Sequence, residues 1–84
     1  MAKTIFITGT NSGFGKATVE QFARAGWNVA ATVRNLKAHA ELFASLSNVA
    51  LFELDVTNFV QVEDVAQAAI ARFGTIDVVV NNAG

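Results

Sequence analysis

Apolar positions along this chain fall into four short runs, "KTIFIT" (3–8), "NVAATV" (28–33), "NVALFEL" (48–54) and "IDVVV" (76–80), each ended by polar or glycine residues. Their β-branched content predicts strands, and most lack the strict polar alternation of a strand with one wet face. Strands covered on both faces look like this, and such strands usually run parallel. Between them the period changes. Val62, Val65, Ala66, Ala69, Ile70 and Phe73 recur at i, i+3, i+4, i+7, i+8 and i+11, the stripe of an amphipathic helix. Asn58, with Gln61 three residues on, is placed to cap its start, and Gly74 to end it. A first helix is expected from about Gly13 to Ala25, with Phe14, Ala17, Phe22 and Ala25 to one side and Gly26 closing it. A middle helix is expected from about Leu36 to Leu46, carrying Leu42, Phe43 and Leu46.

The order is therefore βαβαβαβ, an α/β fold: a doubly wound, Rossmann-like parallel sheet with right-handed crossovers and helices on both faces. In that arrangement the first four strands lie in the order 3-2-1-4, and ligands bind beyond the carboxyl ends of the strands, at the switch point between the first and the fourth. No repeat, linker or low-complexity segment divides residues 1–84, which read as one unit.

Composition narrows the classes. With 84 residues, a chain buries only roughly 60 to 65% of its unfolded surface, so the stability margin is thin. A content of 52% hydrophobic and 15% charged residues argues against disorder. The net charge is −1 and the six Lys and Arg are scattered, which points away from nucleic acid and anionic membrane as partners. Absence of cysteine excludes a disulfide framework and a thiolate metal site, and with no signal-peptide pattern the expected location is cytoplasmic. The apolar runs are far shorter than the roughly 20 residues that span a bilayer.

The polar clusters are placed consistently. "TGTNSGFG" follows the first predicted strand, Arg34 and Asn35 the second, "DVT" (55–57) the third and "NNAG" (81–84) the fourth. All four would line one crevice, a coincidence that structural turns alone do not require. In the first cluster, Gly9 permits a tight exit from the strand, while Gly13 and Gly15 remove side chains where a phosphate and a strand approach the helix. Its amides and the helix dipole would face the phosphates, with Thr8, Thr10, Asn11 and Ser12 adding short hydrogen-bonding groups. A glycine-bearing turn that binds nothing is the plain alternative. Asp55 could likewise merely start a turn, and Asn81 and Asn82 merely end a strand.

The glycine spacing is G-x-x-x-G-x-G rather than the commoner G-x-G-x-x-G. TGTNSGFG resembles the TGxxxGxG cofactor loop of the short-chain dehydrogenases/reductases. The order of that loop, Asp55-Val56 and NNAG resembles the cofactor-binding half of the family, over essentially the whole chain. The resemblance implies half of a complete Rossmann-like domain. It implies that Gly9, Thr10, Asn11, Ser12, Gly13, Phe14 and Gly15 hold the pyrophosphate and adenosine ribose. Asp55 would contact the adenine amino group, the Val56 backbone would lie nearby, and Asn82, Ala83 and Gly84 would approach the ribose.

Cofactor choice turns on the end of the second strand, where NAD-binding chains place an acid about 20 residues past the glycine loop. Here Val33 is followed by Arg34 and Asn35, and no acid occurs before Glu41. Arg34 offers a forked, permanently charged group suited to a 2′-phosphate, which favours NADP(H), with NAD(H) as the alternative. Ser12 stands where many NADP-preferring relatives carry a basic residue.

The family's reaction is hydride transfer between nicotinamide and a carbonyl or alcohol, and its tyrosine, lysine, serine and asparagine lie beyond residue 84 by the resemblance. The chain contains no tyrosine, so no catalytic residue is assigned and no turnover is expected of it alone. His39 reads as a solvated helix residue without metal partners. Glu63 and Asp64 read as acids favouring the positive start of the third helix. Trp27 and the phenylalanines read as core or edge packing. The fourth strand would present an open apolar edge, and self-association through it is expected. The rival reading is a structural or assembly module, engineered or excised, whose glycine loop has no ligand.

Overall fold

A computed structural model describes residues 2–10 and 13–82. Its elements alternate as predicted: β1 (Thr4–Ile7), α1 (Gly13–Arg24), β2 (Asn28–Val33), α2 (Leu36–His39), β3 (Val49–Glu53), α3 (Phe59–Phe73) and β4 (Val78–Val80). The four strands form one sheet in the order β3-β2-β1-β4, and every pairing is parallel. Ile7 lies beside Ala31 on one side and Val80 on the other, so β1 is central and its carboxyl end faces the switch point.

Alternate residues of the strands feed two apolar layers, as the two-residue period of a strand requires. Ile5, Ile7, Val29 and Ala31 pack with Val19 and Ala23 of α1 and with Phe43. Phe6, Ala30 and Leu54 pack with Val65 and Ala69 of α3 on the opposite face. Trp27 packs against the first layer, its ring edge-on to Phe22 at 5.0 Å between centroids. Phe6 and Phe43 are buried, and Phe22, Phe52 and Phe73 are partly buried. Phe14 and Phe59 depart from the core expectation, being 72% and 84% exposed.

All three helices differ from expectation in detail. The buried face of α1 is Gly15, Val19 and Ala23, not Phe14, Ala17, Phe22 and Ala25. Of the expected set only Phe22 packs inward, because the i, i+4, i+8 row of small residues is the one that lets the helix lie close to the sheet. The helix ends as expected: Gly26 is left-handed at φ 91°, and the Trp27 amide donates to the Phe22 carbonyl at 3.1 Å, the closure of a Schellman motif.

The middle helix is a single turn, not eleven residues. Beyond it, Leu42, Ala44 and Leu46 donate to the carbonyls of His39, Glu41 and Phe43, each three residues back. These tightened turns still direct Leu42, Phe43 and Leu46 to the first layer, which explains why the apolar pattern resembled a weak helix. In α3, Asn58 Oδ1 accepts from the Gln61 amide at 3.1 Å and Gly74 closes the far end at φ 89°. Glu63 and Asp64 fall just past the first turn, which holds no acid. Ile70, expected in the buried stripe, is exposed.

No described helix is long and apolar enough to cross a membrane.

Candidate functional site

The loop leaving β1 turns sharply because two of its glycines are left-handed, Gly9 at φ 65° and Gly13 at φ 60°. Both conformations are costly for residues with a Cβ. Gly15 is needed for a different reason. A Cβ there would lie 2.2 Å from the Gly9 carbonyl oxygen and 2.7 Å from Asn82 Nδ2, so α1 can approach the loop this closely only with a bare backbone. Beyond its chain neighbours and the helix's own backbone, no described atom lies within 4 Å of where a Cβ on Gly13 would stand. Its glycine is therefore explained by the dihedral angle and not by crowding from other described parts of the chain. The first turn of α1 holds no acid, so nothing there opposes an anion at its positive end.

Threonines and asparagines hold this loop to the sheet. Thr10 is buried, and both its amide (3.0 Å) and its hydroxyl (2.9 Å) donate to the Thr32 carbonyl at the end of β2. The Thr8 hydroxyl donates to Asn81 Oδ1 at 3.1 Å and accepts from the Asn82 amide at 2.9 Å. Asn82 Nδ2 donates to the Gly9 carbonyl at 3.1 Å. The asparagines after β4 thus brace the glycine loop, a role that strand order alone did not disclose because it depends on the register of β4 against β1 and on which side-chain atoms meet there. Thr8 and Thr32 share that brace.

Across the crevice, Arg34 Nη2 lies 3.5 Å from Asp55 Oδ2. The Asp55 carboxyl sits below the usual value of 3.8, first because the Thr57 hydroxyl donates to it at 2.7 Å, then because the Thr57 amide does at 3.0 Å. Burial opposes this, and the Arg34 charge, the smallest of these contributions, adds to the lowering. The Asp55 amide donates to Gln61 Oε1 at 2.7 Å, so Gln61 anchors the loop instead of closing a capping box on Asn58. Asn35, a predicted site residue, caps α2 by accepting from the Ala38 amide at 3.2 Å. Glu53 Oε1 accepts from the Leu36 amide at 3.0 Å, a carboxylate that the linear sequence placed nowhere near β2.

The structure therefore brings Gly9, Thr10, Gly13, Phe14 and Gly15, then Arg34 with Asp55 and its neighbour Val56, and Asn82, to the carboxyl edge of one sheet. Asn11, Ser12, Ala83 and Gly84 lie outside the described residues. A cavity of about 220 Å³ opens on the α3 side of this edge, lined in part by Thr8, Val56, Phe59, Val79 and Asn81. A larger hollow of about 570 Å³ runs along the outer edge of β3, away from the glycine loop, and has none of these residues in its lining. Among the described residues no group of acids and His39 is arranged to hold a metal ion.

The comparisons agree with this geometry. The family model for short chain dehydrogenase matches residues 3–84. A probable 2,4-dienoyl-CoA reductase of Bacillus subtilis is 36% identical over 85 residues, covering 96% of this chain and 34% of that protein. ElxO, in a structure with NADP bound, superposes with a TM-score of 0.88 at 35% identity over 100% of this chain and 36% of its own. The NADH-dependent reductase A1-R′, complexed with NAD, does so with a TM-score of 0.85 at 34% identity, over 99% of this chain and 36% of its own. The chain spans about a third of the length of such relatives. A bent glycine loop, a parallel 3-2-1-4 sheet and a match over nearly every residue converge on one conclusion: the chain belongs to the short-chain dehydrogenase family and corresponds to its N-terminal portion.

Proposed function

We propose that this chain binds a nicotinamide dinucleotide along the carboxyl edge of its sheet, NADP(H) in preference to NAD(H), as the cofactor-holding portion of an oxidoreductase. The observation that carries the proposal is the glycine loop. Gly9 and Gly13 are left-handed, Gly15 is pressed against Gly9, and the first turn of the twelve-residue α1 holds no acid. Such a start suits a pyrophosphate, whose charge is favoured by the helix dipole and by free backbone amides.

Each of the other strand ends then has a part. Asp55, held ionised by Thr57 and Arg34, offers an acceptor for the adenine amino group, and the Val56 backbone lies beside it. Arg34, with its side chain 81% exposed, offers a fork to a 2′-phosphate. Asn82 holds the loop in shape, and by the family resemblance Asn82, Ala83 and Gly84 would approach the ribose. When bound, the nicotinamide supplies the hydride donor or acceptor. The chain's own part is to hold and orient it, since it has no tyrosine for the family's acid/base role. Support for NADP(H) comes from Arg34 and from the NADP-bound ElxO neighbour; the NAD-bound neighbour keeps NAD(H) as the alternative.

Fluorescence or calorimetric titration of the chain with NADPH and NADH tests this. Saturable binding with NADPH tighter than NADH is expected, and no binding of either at millimolar concentration refutes it. A bound cofactor must also raise the melting temperature, because it binds the folded state alone.

The outer edge of β4 carries the second partner we propose, another copy of this chain. Val78 and Val79 are 40% and 64% exposed beside a strand with no neighbour on that side among the described residues, and such an edge pairs readily.

A further inference from the structure

We propose that Glu53, on β3, supplies the acid that β2 lacks and so sets how strongly this crevice discriminates between a 2′-phosphate and a 2′-hydroxyl. The proposal rests on the dinucleotide reading above. Chains that bind NAD place an acid at the end of the second strand to take the ribose 2′-hydroxyl. By sequence this chain has Arg34 and Asn35 there, and the next acid, Glu41, lies beyond α2.

The sheet changes that reckoning. Its parallel register sets Glu53 directly beside Val33, the last residue of β2. The Leu54 amide donates to the Val33 carbonyl at 2.9 Å, which fixes the two strand ends together. From that position Glu53 Oε1 reaches the Leu36 amide at 3.0 Å, so the carboxylate is held against the turn formed by Arg34, Asn35 and Leu36. Arg34 does not neutralise it in this arrangement, because the guanidinium reaches across to Asp55 at 3.5 Å. The turn that would receive the 2′-substituent is thus flanked by one guanidinium and by a carboxylate from the neighbouring strand.

The two charges act in opposite senses. A 2′-phosphate carries between one and two negative charges near neutral pH, is drawn to Arg34 and is repelled by Glu53. A 2′-hydroxyl is uncharged and finds in Glu53 an acceptor of the kind an acid on β2 would have offered. Glu53 therefore moderates the preference that Arg34 creates.

Two substitutions test this in the chain as it stands. Glu53→Gln keeps an acceptor for the Leu36 amide and removes the charge. Glu53→Thr removes the charge with a residue well suited to a strand, and serves if the first variant folds poorly. For either, the ratio of NADPH to NADH affinity is expected to rise about fivefold at low salt, the size of an exposed charge interaction. The rise should shrink as ionic strength increases. If both cofactors bind the folded variants with an unchanged or lower ratio, the proposal for Glu53 is overturned while the dinucleotide reading stands. If the unsubstituted chain binds neither cofactor, that reading falls and the role of Glu53 falls with it.

Discussion

Arg34 and Asp55, which follow different strands and stand 21 positions apart, meet across the crevice at 3.5 Å between Nη2 and Oδ2. Both are substantially solvent-exposed, so the pair adds little to stability. What it does is place a guanidinium and an ionised carboxylate at the end of the crevice proposed for the adenosine. Replacing Arg34 with Glu removes the fork offered to a 2′-phosphate and sets a second carboxylate beside Asp55. The expected result is a loss of about tenfold or more in NADPH affinity relative to NADH, near 1.4 kcal/mol, with little change in melting temperature. Unchanged selectivity in parallel titrations removes Arg34 from the account.

Asp55 gives a pH dependence whose sign follows from its partners. The Thr57 hydroxyl and amide favour the charged carboxylate in the folded chain and lower its pKa below 3.8. A folded pKa below the unfolded one stabilises the fold at pH values above the unfolded pKa, and the contribution fades as pH falls through the folded value. The melting temperature of the unsubstituted chain should therefore exceed that of Asp55→Ala at neutral pH, with the gap narrowing below about pH 4. A gap that widens on acidification contradicts the arrangement around Thr57.

The two roles of glycine in this fold separate experimentally. A Cβ at Gly15 meets the Gly9 carbonyl oxygen at 2.2 Å, a backbone atom that cannot step aside without moving β1 or α1. At Gly26 a Cβ meets no described atom within 4 Å beyond its own chain neighbours, and the left-handed φ of 91° is what opposes it. Gly15→Ala is expected to cost about 2 to 3 kcal/mol or to prevent folding, whereas Gly26→Ala should cost about 1 to 2 kcal/mol. Urea denaturation measures both. Equal effects would mean that the close approach of α1 to the loop relaxes easily.

Much of this was legible in the sequence, for a physical reason. Unbroken apolar runs such as "NVAATV" mark strands buried on both faces, and the order of elements then leaves few topologies open. Glycines and polar residues at strand ends marked the crevice in the same way. The order of strands was legible, but the sequence was silent wherever a role depends on the register between neighbouring strands and on which side-chain atoms meet across them. Glu53 belongs to β3 by sequence and to the turn after β2 by hydrogen bonding. Asn82, expected to approach the ribose or merely to end a strand, also braces the glycine loop through the Gly9 carbonyl. The face of α1 was misread because Phe14 and Ala17 carry the hydrophobic signal while Gly15, Val19 and Ala23 carry the packing, and close helix–sheet approach selects small residues over large ones.

Self-association through β4 rests on Val79, which pairs with Phe6 in the sheet yet leaves 64% of its surface exposed. A lysine on an edge strand is the common device against pairing with another copy. Val79→Lys should give a monomer by light scattering at high micromolar concentration, where the unsubstituted chain shows larger species. A clean monomer for the unsubstituted chain at that concentration removes the proposal altogether.

Thr4 opens β1 fully buried, and its hydroxyl is the one buried side-chain polar atom without a partner among the described residues. The backbone around it is well satisfied: its amide donates to Asp77 Oδ2 at 2.8 Å and its carbonyl accepts from the Asp77 amide at 2.8 Å. These two bonds tie the amino end of β1 to the approach to β4, and neither uses the threonine side chain. A buried hydroxyl without a partner carries its desolvation cost uncompensated, while a methyl group of the same shape would not. Thr4→Val keeps the β-branched form that suits a strand and adds no volume to a filled core. It should therefore stabilise the chain by about 1 kcal/mol, which for a domain of this size raises the melting temperature by about 4 to 8 °C. Asp77→Ala, which removes the acceptor for the Thr4 amide, should act in the opposite direction by about 1 to 3 kcal/mol. A Thr4→Val chain that melts lower than its parent would mean that the hydroxyl has a partner in solution.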